Sequence, residues 1–400
     1  MEAVKKERRR YSSLEMLEKR ETGLQCLKQD TLTSKYYKHF KISGSQDEEH
    51  AAIFNLEFSP SGKMLVAACE ASAILLYDPI QRKCQHRLPN AHDNSVNCIR
   101  FCDERIFASG SDDCTIALWD ARMLDEPIMK LVGHTGWVKS LVYDKNTGFL
   151  LSSAFDGTVR GWEINRSLSS REDLNGTVFV RKDSISRMEI TSECDKLILS
   201  CSADEPGCDT TLIFHNLDLP NFADDVTNKC SDQTHTEFRN GDNRNIPESL
   251  KRDLEYPKFP VCIPSFRVHP DGWCLVSRYF TMNNFQFTTV HDIRTCSYGN
   301  GKRLSHYIEE SDSGQGIIKE PGFSPDGRVI ASPFAHGARI LAFDPDCSQW
   351  RKDSGVKTLS EIKFLLGHPM PVCCSKFSPT HMLLATGCLA GKIAFHEPRL

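Results

Sequence analysis

Two stretches of this sequence repeat at one period, and that period constrains the fold more than any other feature. Ala91-His92-Asp93-Asn94-Ser95-Val96 is echoed by Gly133-His134-Thr135-Gly136-Trp137-Val138, with the histidines 42 residues apart. Gly110-Ser111-Asp112-Asp113-Cys114-Thr115-Ile116-Ala117-Leu118-Trp119-Asp120 is echoed by Ser153-Ala154-Phe155-Asp156-Gly157-Thr158-Val159-Arg160-Gly161-Trp162-Glu163, with the tryptophans 43 apart. His92 precedes Asp113 by 21 residues, His134 precedes Asp156 by 22, and each Asp stands six residues before its Trp. A unit of ~40–45 residues cannot bury its apolar face alone, so neighbouring copies must stack and share a core. Weaker copies fill the chain. Phe58-Ser59-Pro60-Ser61-Gly62, Val268-His269-Pro270-Asp271-Gly272 and Phe323-Ser324-Pro325-Asp326-Gly327 share one turn pattern, and Phe377-Ser378-Pro379-Thr380 truncates it. Pro early and Gly at the end suit a tight hairpin turn.

This unit resembles the GH…WD repeat of WD40 proteins. The resemblance implies an all-β, seven-bladed propeller with a short helical segment before it. Blade cores are expected at about 51–80, 92–122, 134–166, 183–218, 261–294, 315–346 and 368–398. In such repeats the His and Asp meet across a blade, and the Trp indole lies beside a strand hydroxyl, here Ser109 or Ser152. Each buried polar group then has a partner, avoiding ~1–3 kcal/mol of desolvation per group. His92, Asp113, His134, Asp156 and Trp162 are therefore read as structural. An Asp–His pair is also catalytic vocabulary, but this one recurs at structural spacing without a nucleophile. The chain is read as a binding platform, not an enzyme.

A propeller must join its ends, because an open edge strand is a liability. Blade seven offers three strands before Leu400. The β-prone run at about 34–42 is expected to supply the fourth, placing the propeller at 34–400. Residues 219–260, rich in Asn, Asp and mixed charge, read as a disordered insert. Residues 295–314 and 347–360 read as surface loops. Within 1–33, Leu14, Leu17, Leu24 and Leu27 punctuate a charged stretch broken by Gly23, suggesting two short helices. Lys5-Lys6-Glu7-Arg8-Arg9-Arg10 reads as solvated charge or as a nuclear localisation patch.

The net charge of −4 argues against general nucleic-acid affinity. No apolar run approaches the ~20 residues needed to span a bilayer, and no secretory h-region follows the N-terminus. The 17 cysteines are odd in number and form no CxxC pair. They read as small buried hydrophobes in a reducing compartment, nuclear or cytoplasmic, with no metal or cofactor expected.

Trp119-Asp120-Ala121-Arg122, which ends blade two, resembles the W-D-x-R box of substrate receptors for cullin-4 RING ubiquitin ligases. Ile53-Phe54-Asn55-Leu56-Glu57-Phe58, His306-Tyr307-Ile308-Glu309-Glu310, Ile318-Lys319-Glu320 and Lys376-Phe377-Ser378-Pro379-Thr380-His381 extend the similarity beyond generic repeat consensus. The chain is thus similar to the damaged-DNA-binding-protein-1/cullin-4 associated factors. The resemblance implies that Trp119, Asp120 and Arg122, with Leu14, Leu17, Leu24 and Leu27, bind the adaptor damaged-DNA-binding protein 1. An unknown protein substrate would then dock on the opposite face for ubiquitination. A second box is missing: blade three reads Trp162-Glu163-Ile164-Asn165 and blade five His291-Asp292-Ile293-Arg294. The alternative is a general WD40 scaffold in another intracellular complex.

Overall fold

The computed structural model describes residues 34, 36–46, 51–164, 177–181, 184–194, 196–202, 210–215, 235–239, 265–280, 286–293, 303–310, 319–349 and 355–399. Its strands form seven sheets built mainly of antiparallel neighbours, five of them from one consecutive run of strands or one run broken by a single strand. Blade two is typical: Val96–Phe101, Ile106–Ser111, Thr115–Asp120 and Met129–Val132 pair in order, from the innermost strand to the outermost. The innermost strands touch in a closed cycle. Ile53–Phe58 meets Val96–Phe101, and the contacts run on through Val138–Asp144, Ser184–Ile190, Phe266–Val268, Gly322–Phe323 and Val372–Phe377 back to Ile53–Phe58. Turns after the first and third strands of a blade share one face, called bottom here. Turns after the second and fourth share the other, the top.

The core lies between blades. Val66, Leu76, Val96, Ile99, Phe107 and Trp119 form one buried cluster joining blades one and two. Cys98, Leu118, Val138, Leu150 and Trp162 form the next, joining two and three. Sheets this twisted pack side chains from both faces, so their strands read as nearly continuous apolar runs. Leu65–Cys69 is buried at every position. The Ser-Pro-x-Gly turns take one form: Gly62 donates its N–H to Ser59 O at 2.8 Å with φ 71°. That left-handed conformation suits glycine.

Ring closure differs from the sequence expectation in its bounds. The fourth strand of blade seven is Phe40–Gln46, antiparallel to Ile393–Pro398, while residues 36–38 are helical. The turn sets Tyr37 and Phe40 three residues apart on one side. Both are buried, with rings 5.6 Å apart, and both pack edge-on to Phe377. A strand through 37–40 would separate those rings. Further along, a bulge between Ile42 and Gly44 lets the Arg82 side chain cross Gly44 to reach Ser43 O at 2.9 Å and Glu397 at 2.8 Å. Closure therefore ties blade seven to blade one as well.

Three further expectations are corrected. His235–Arg239, inside the expected disordered insert, is the outer strand of blade four, paired with Thr210–His215. Arg303–Glu310, expected as loop, is the outer strand of blade five. Lys357–Thr358 adds to it in parallel as a fifth strand. Outer strands need backbone pairing more than an apolar period, so composition hides them. Leu14, Leu17, Leu24 and Leu27 lie outside the described residues, as does the rest of the 219–260 stretch. No described helix is long and apolar enough to cross a membrane.

Candidate partner-docking face

Each complete blade motif is a chain of hydrogen bonds. His92 Nδ1–H donates to Asp113 at 2.9 Å, and His92 Nε2 lies 2.7 Å from Ser109 Oγ. Trp119 Nε1–H donates to the same Ser109 oxygen at 2.9 Å. Blade three repeats it: His134 to Asp156 at 2.9 Å, His134 to Ser152 at 2.7 Å, Trp162 to Ser152 at 2.8 Å. Burial raises the Asp113 carboxyl, but hydrogen bonds from His92 and Thr115 reverse this and hold it below the usual carboxylate range. Burial lowers the His134 imidazole despite Asp156. A neutral imidazole donating from Nδ1 and accepting at Nε2 fits the His134 site. Blade seven departs from this: His368 and His396 flank Thr386 at 2.7 and 2.9 Å, and Ala390 stands where the Asp would be. Among the described residues no group of His, Cys, Asp and Glu suits a metal ion.

The bottom turn after blade two's third strand is built by the same residues. Trp119 is anchored in the core through Ser109 and is 3% exposed. Asp120, 4% exposed, holds three groups. Its Oδ2 accepts from Arg105 Nε at 2.7 Å and from Nη2 at 2.5 Å. Its Oδ1 accepts from the Arg122 N–H at 3.0 Å, and its backbone oxygen from the Met123 N–H at 3.0 Å. The Arg105 hydrogen bonds hold the Asp120 carboxyl below its ordinary range, so it stays ionised. Ala121 N–H closes the turn on Arg105 O at 2.8 Å. The outcome is an exposed Arg122 whose guanidinium makes no hydrogen bond among the described residues.

This geometry separates roles that the sequence merged. Trp119 and Asp120 are read from the sequence as contact residues, yet they are buried and position the turn; Arg122 alone of the three faces outward. Met123 at 70% and Ile128 at 42% exposure flank it, and Ile80 at 58% stands on the matching turn of blade one. These apolar neighbours, and the Arg105 clamp, escaped sequence reading. Turn composition is the one signal for the first three; nothing in the repeat marks Arg105. The segment ahead of the ring arrives on the same face. Ser34 Oγ donates to Pro345 O at 3.4 Å, and the Tyr37 hydroxyl to Asp326 at 3.3 Å, both in bottom turns of blade six.

A second polar assembly lines the axis. Inner strands carry Glu57, Arg100, Arg187, Glu189, Arg267 and Lys376, joined by Glu320. Arg100 spans from Glu57 at 3.4 Å to Glu189 of blade four at 3.5 Å, skipping blade three. Arg187 pairs with Glu320 across blade five, and Arg267 pairs with both Glu189 and Glu320. Lys376 meets Glu57 at 2.6 Å, and Asn55 donates to Glu320 at 2.9 Å. Burial raises the Glu189 carboxyl, but Arg267, Arg100 and Arg187 bring it down to about 2. Contacts between non-adjacent blades cross the middle of the ring, so these side chains reach the axis.

The family model described as "WD domain, G-beta repeat" matches residues 82–120, 125–163 and 359–396. Over 88% of its length the chain is 37% identical to DDB1- and CUL4-associated factor 10 of Xenopus tropicalis, covering 85% of that protein. It is 37% identical to the Danio rerio protein of that name, covering 75% of it, and 35% identical to the Homo sapiens one, covering 70%. The chain is a WD40 propeller and belongs to the DDB1- and CUL4-associated factor 10 family.

Proposed function

We propose that the chain is a substrate receptor of a cullin-4 RING ubiquitin ligase, bridging damaged-DNA-binding protein 1 to a protein substrate. The relatives' shared name supports this reading. The observation that carries it is the Arg122 turn: an outward guanidinium on a clamped turn, flanked by Met123 and Ile128. A guanidinium always carries its charge and pairs bidentately with carboxylates or carbonyls. An apolar surround excludes water from such a contact, which is how interface hot spots gain strength. Ser34 lies on that face, and the segment before it, with Leu14, Leu17, Leu24 and Leu27, is proposed as the second contact.

The chemistry belongs to the conjugating enzyme carried by the ligase's RING subunit. The propeller raises the effective concentration of substrate lysines near it. The reading entails a reducing intracellular setting, in keeping with free cysteines such as Cys98 and Cys373, whose thiols burial pushes up to about 12.

A capture assay with purified damaged-DNA-binding protein 1 tests the reading. Arg122→Ala is expected to weaken capture about tenfold, the effect of losing a modest hot spot, with an unchanged melting temperature. Wild-type protein that fails to bind the adaptor would leave only the general scaffold. Equal capture by Arg122→Ala would remove the turn from the account.

A further inference from the structure

We infer that the top face of blades two and three takes a basic peptide segment, with an arginine or lysine stem laid on Trp137 and Phe155. This deepens the proposed function by naming the chemistry of the substrate side, and it rests on that reading only for which protein brings the segment.

Trp137 is 49% exposed, unusual for the largest side chain. It stands in the top turn entering blade three, and Phe155 in the next top turn of that blade. Their rings lie 5.9 Å apart at 34°. The platform is rigid: Phe155 N–H donates to Trp137 O at 3.0 Å, and a Cβ on Gly136 would meet Asp156 N at 2.6 Å. A preformed aromatic surface loses little entropy on binding.

The rings already hold one cation on one side. Lys139 Nζ lies 4.8 Å from the Trp137 centroid and 5.1 Å from that of Phe155. It also donates to Asn97 at 3.2 Å and Asp112 at 2.9 Å, so its charge is matched from within. The solvent side of Trp137 remains open. Lys139 aside, the charge on the adjoining top turns has one sign. The described top turns 70–73, 89–95, 112–114, 133–137 and 155–157 carry Glu70, Asp93, Asp112, Asp113 and Asp156, with no Lys or Arg. Glu70 and Asp93 are exposed. Asp113 and Asp156 are held ionised by their hydrogen bonds. An aromatic face beside carboxylates suits a cation on an apolar stem, and a guanidinium stacks on indole better than an ammonium does. The same carboxylates repel a phosphopeptide, a nucleic acid or an anionic membrane.

The test uses the full chain and a fluorescein-labelled Gly-Ser peptide bearing four arginines, followed by anisotropy. Two controls replace the arginines with glutamate or with citrulline. The arginine peptide should bind, both controls should not, and Trp137→Ala should weaken binding about fivefold, as for a half-exposed cation–π contact. Glu70→Gln with Asp93→Asn should weaken it and flatten its salt dependence, while Glu104→Gln with Asp125→Asn on the bottom face should change nothing. The Glu70/Asp93 variant alters only exposed groups and so carries the test even if Trp137→Ala misfolds. Wild-type affinity in the Glu70/Asp93 variant, or equal binding of the glutamate peptide, would overturn the inference. Adaptor capture is measured on the same proteins. Arginine-peptide binding without adaptor capture would sink the proposed function and leave this site standing; capture without peptide binding would do the reverse.

Discussion

At the scale of single residues, one oxygen often serves two groups. Ser109 Oγ meets both His92 and Trp119, so Ser109→Ala orphans two buried donors or acceptors at once. The expected loss is about 2–6 kcal/mol, at ~1–3 per unsatisfied group, read as a lower midpoint in urea. Blade seven carries a different liability. Burial, helped by His368, lowers the His396 imidazole to about 3, against an unfolded value near 6.5. The folded state therefore binds its proton less readily, and stability present above pH 6.5 is lost as pH falls toward 3. Between pH 7 and 4 this amounts to about 3 kcal/mol. Melting temperatures across that range should fall more for wild type than for His396→Gln; parallel curves would contradict the assignment. The His, Asp and Trp positions of blades two and three were legible in the sequence because hydrogen-bond chemistry fixes both residue type and spacing. Asp120 was legible as part of a box but not as a buried clamp, because its partner Arg105 sits on a turn the repeat leaves free.

At the scale of elements, backbone pairing and side-chain pattern part company. Second strands announce themselves by apolar runs, as at Leu65–Cys69. The outer strands His235–Arg239 and Arg303–Glu310 do not, since one edge and much of one face need no apolar side chain. The closing strand was legible as a need of the ring but misplaced by about six residues, because Tyr37 and Phe40 are β-prone yet pack through a helical turn. Deleting 40–46 would expose the third strand of blade seven and uncover Phe377. It should lower the melting temperature by ten degrees or more, on the order of several kcal/mol. The axial ion network follows a faint pattern that could have been read. Glu57, Arg100 and Lys376 each stand one residue before the aromatic that ends an inner strand. Glu320→Gln leaves Arg187 and Arg267 with one carboxylate fewer and should cost about 3–5 kcal/mol, the penalty of an unmatched buried charge. Its depressed carboxyl also supports stability above the ordinary pKa, lost as pH falls through the folded value. A loss under about 1 kcal/mol on denaturant titration would mean the network is solvated.

At the scale of the molecule, the two faces differ in chemistry. The bottom presents Arg122 among Met123, Ile128 and Ile80, and receives the chain from residue 34. The top of blades one to three presents carboxylates around an exposed indole. Between the faces, ion pairs from non-adjacent blades meet across the axis. Ring architecture and blade number were legible from periodicity alone. The facial division was not, because turns carry no repeat signal and one sequence does not distinguish recognition from solvation. The most direct measurement is hydrogen exchange of the full chain with and without damaged-DNA-binding protein 1. The account predicts slowed exchange at residues 121–123 and 79–82 and in the segment leading to residue 34, with residues 133–137 and 155–157 unchanged. Protection confined to those top turns, or none on the bottom face, would contradict it.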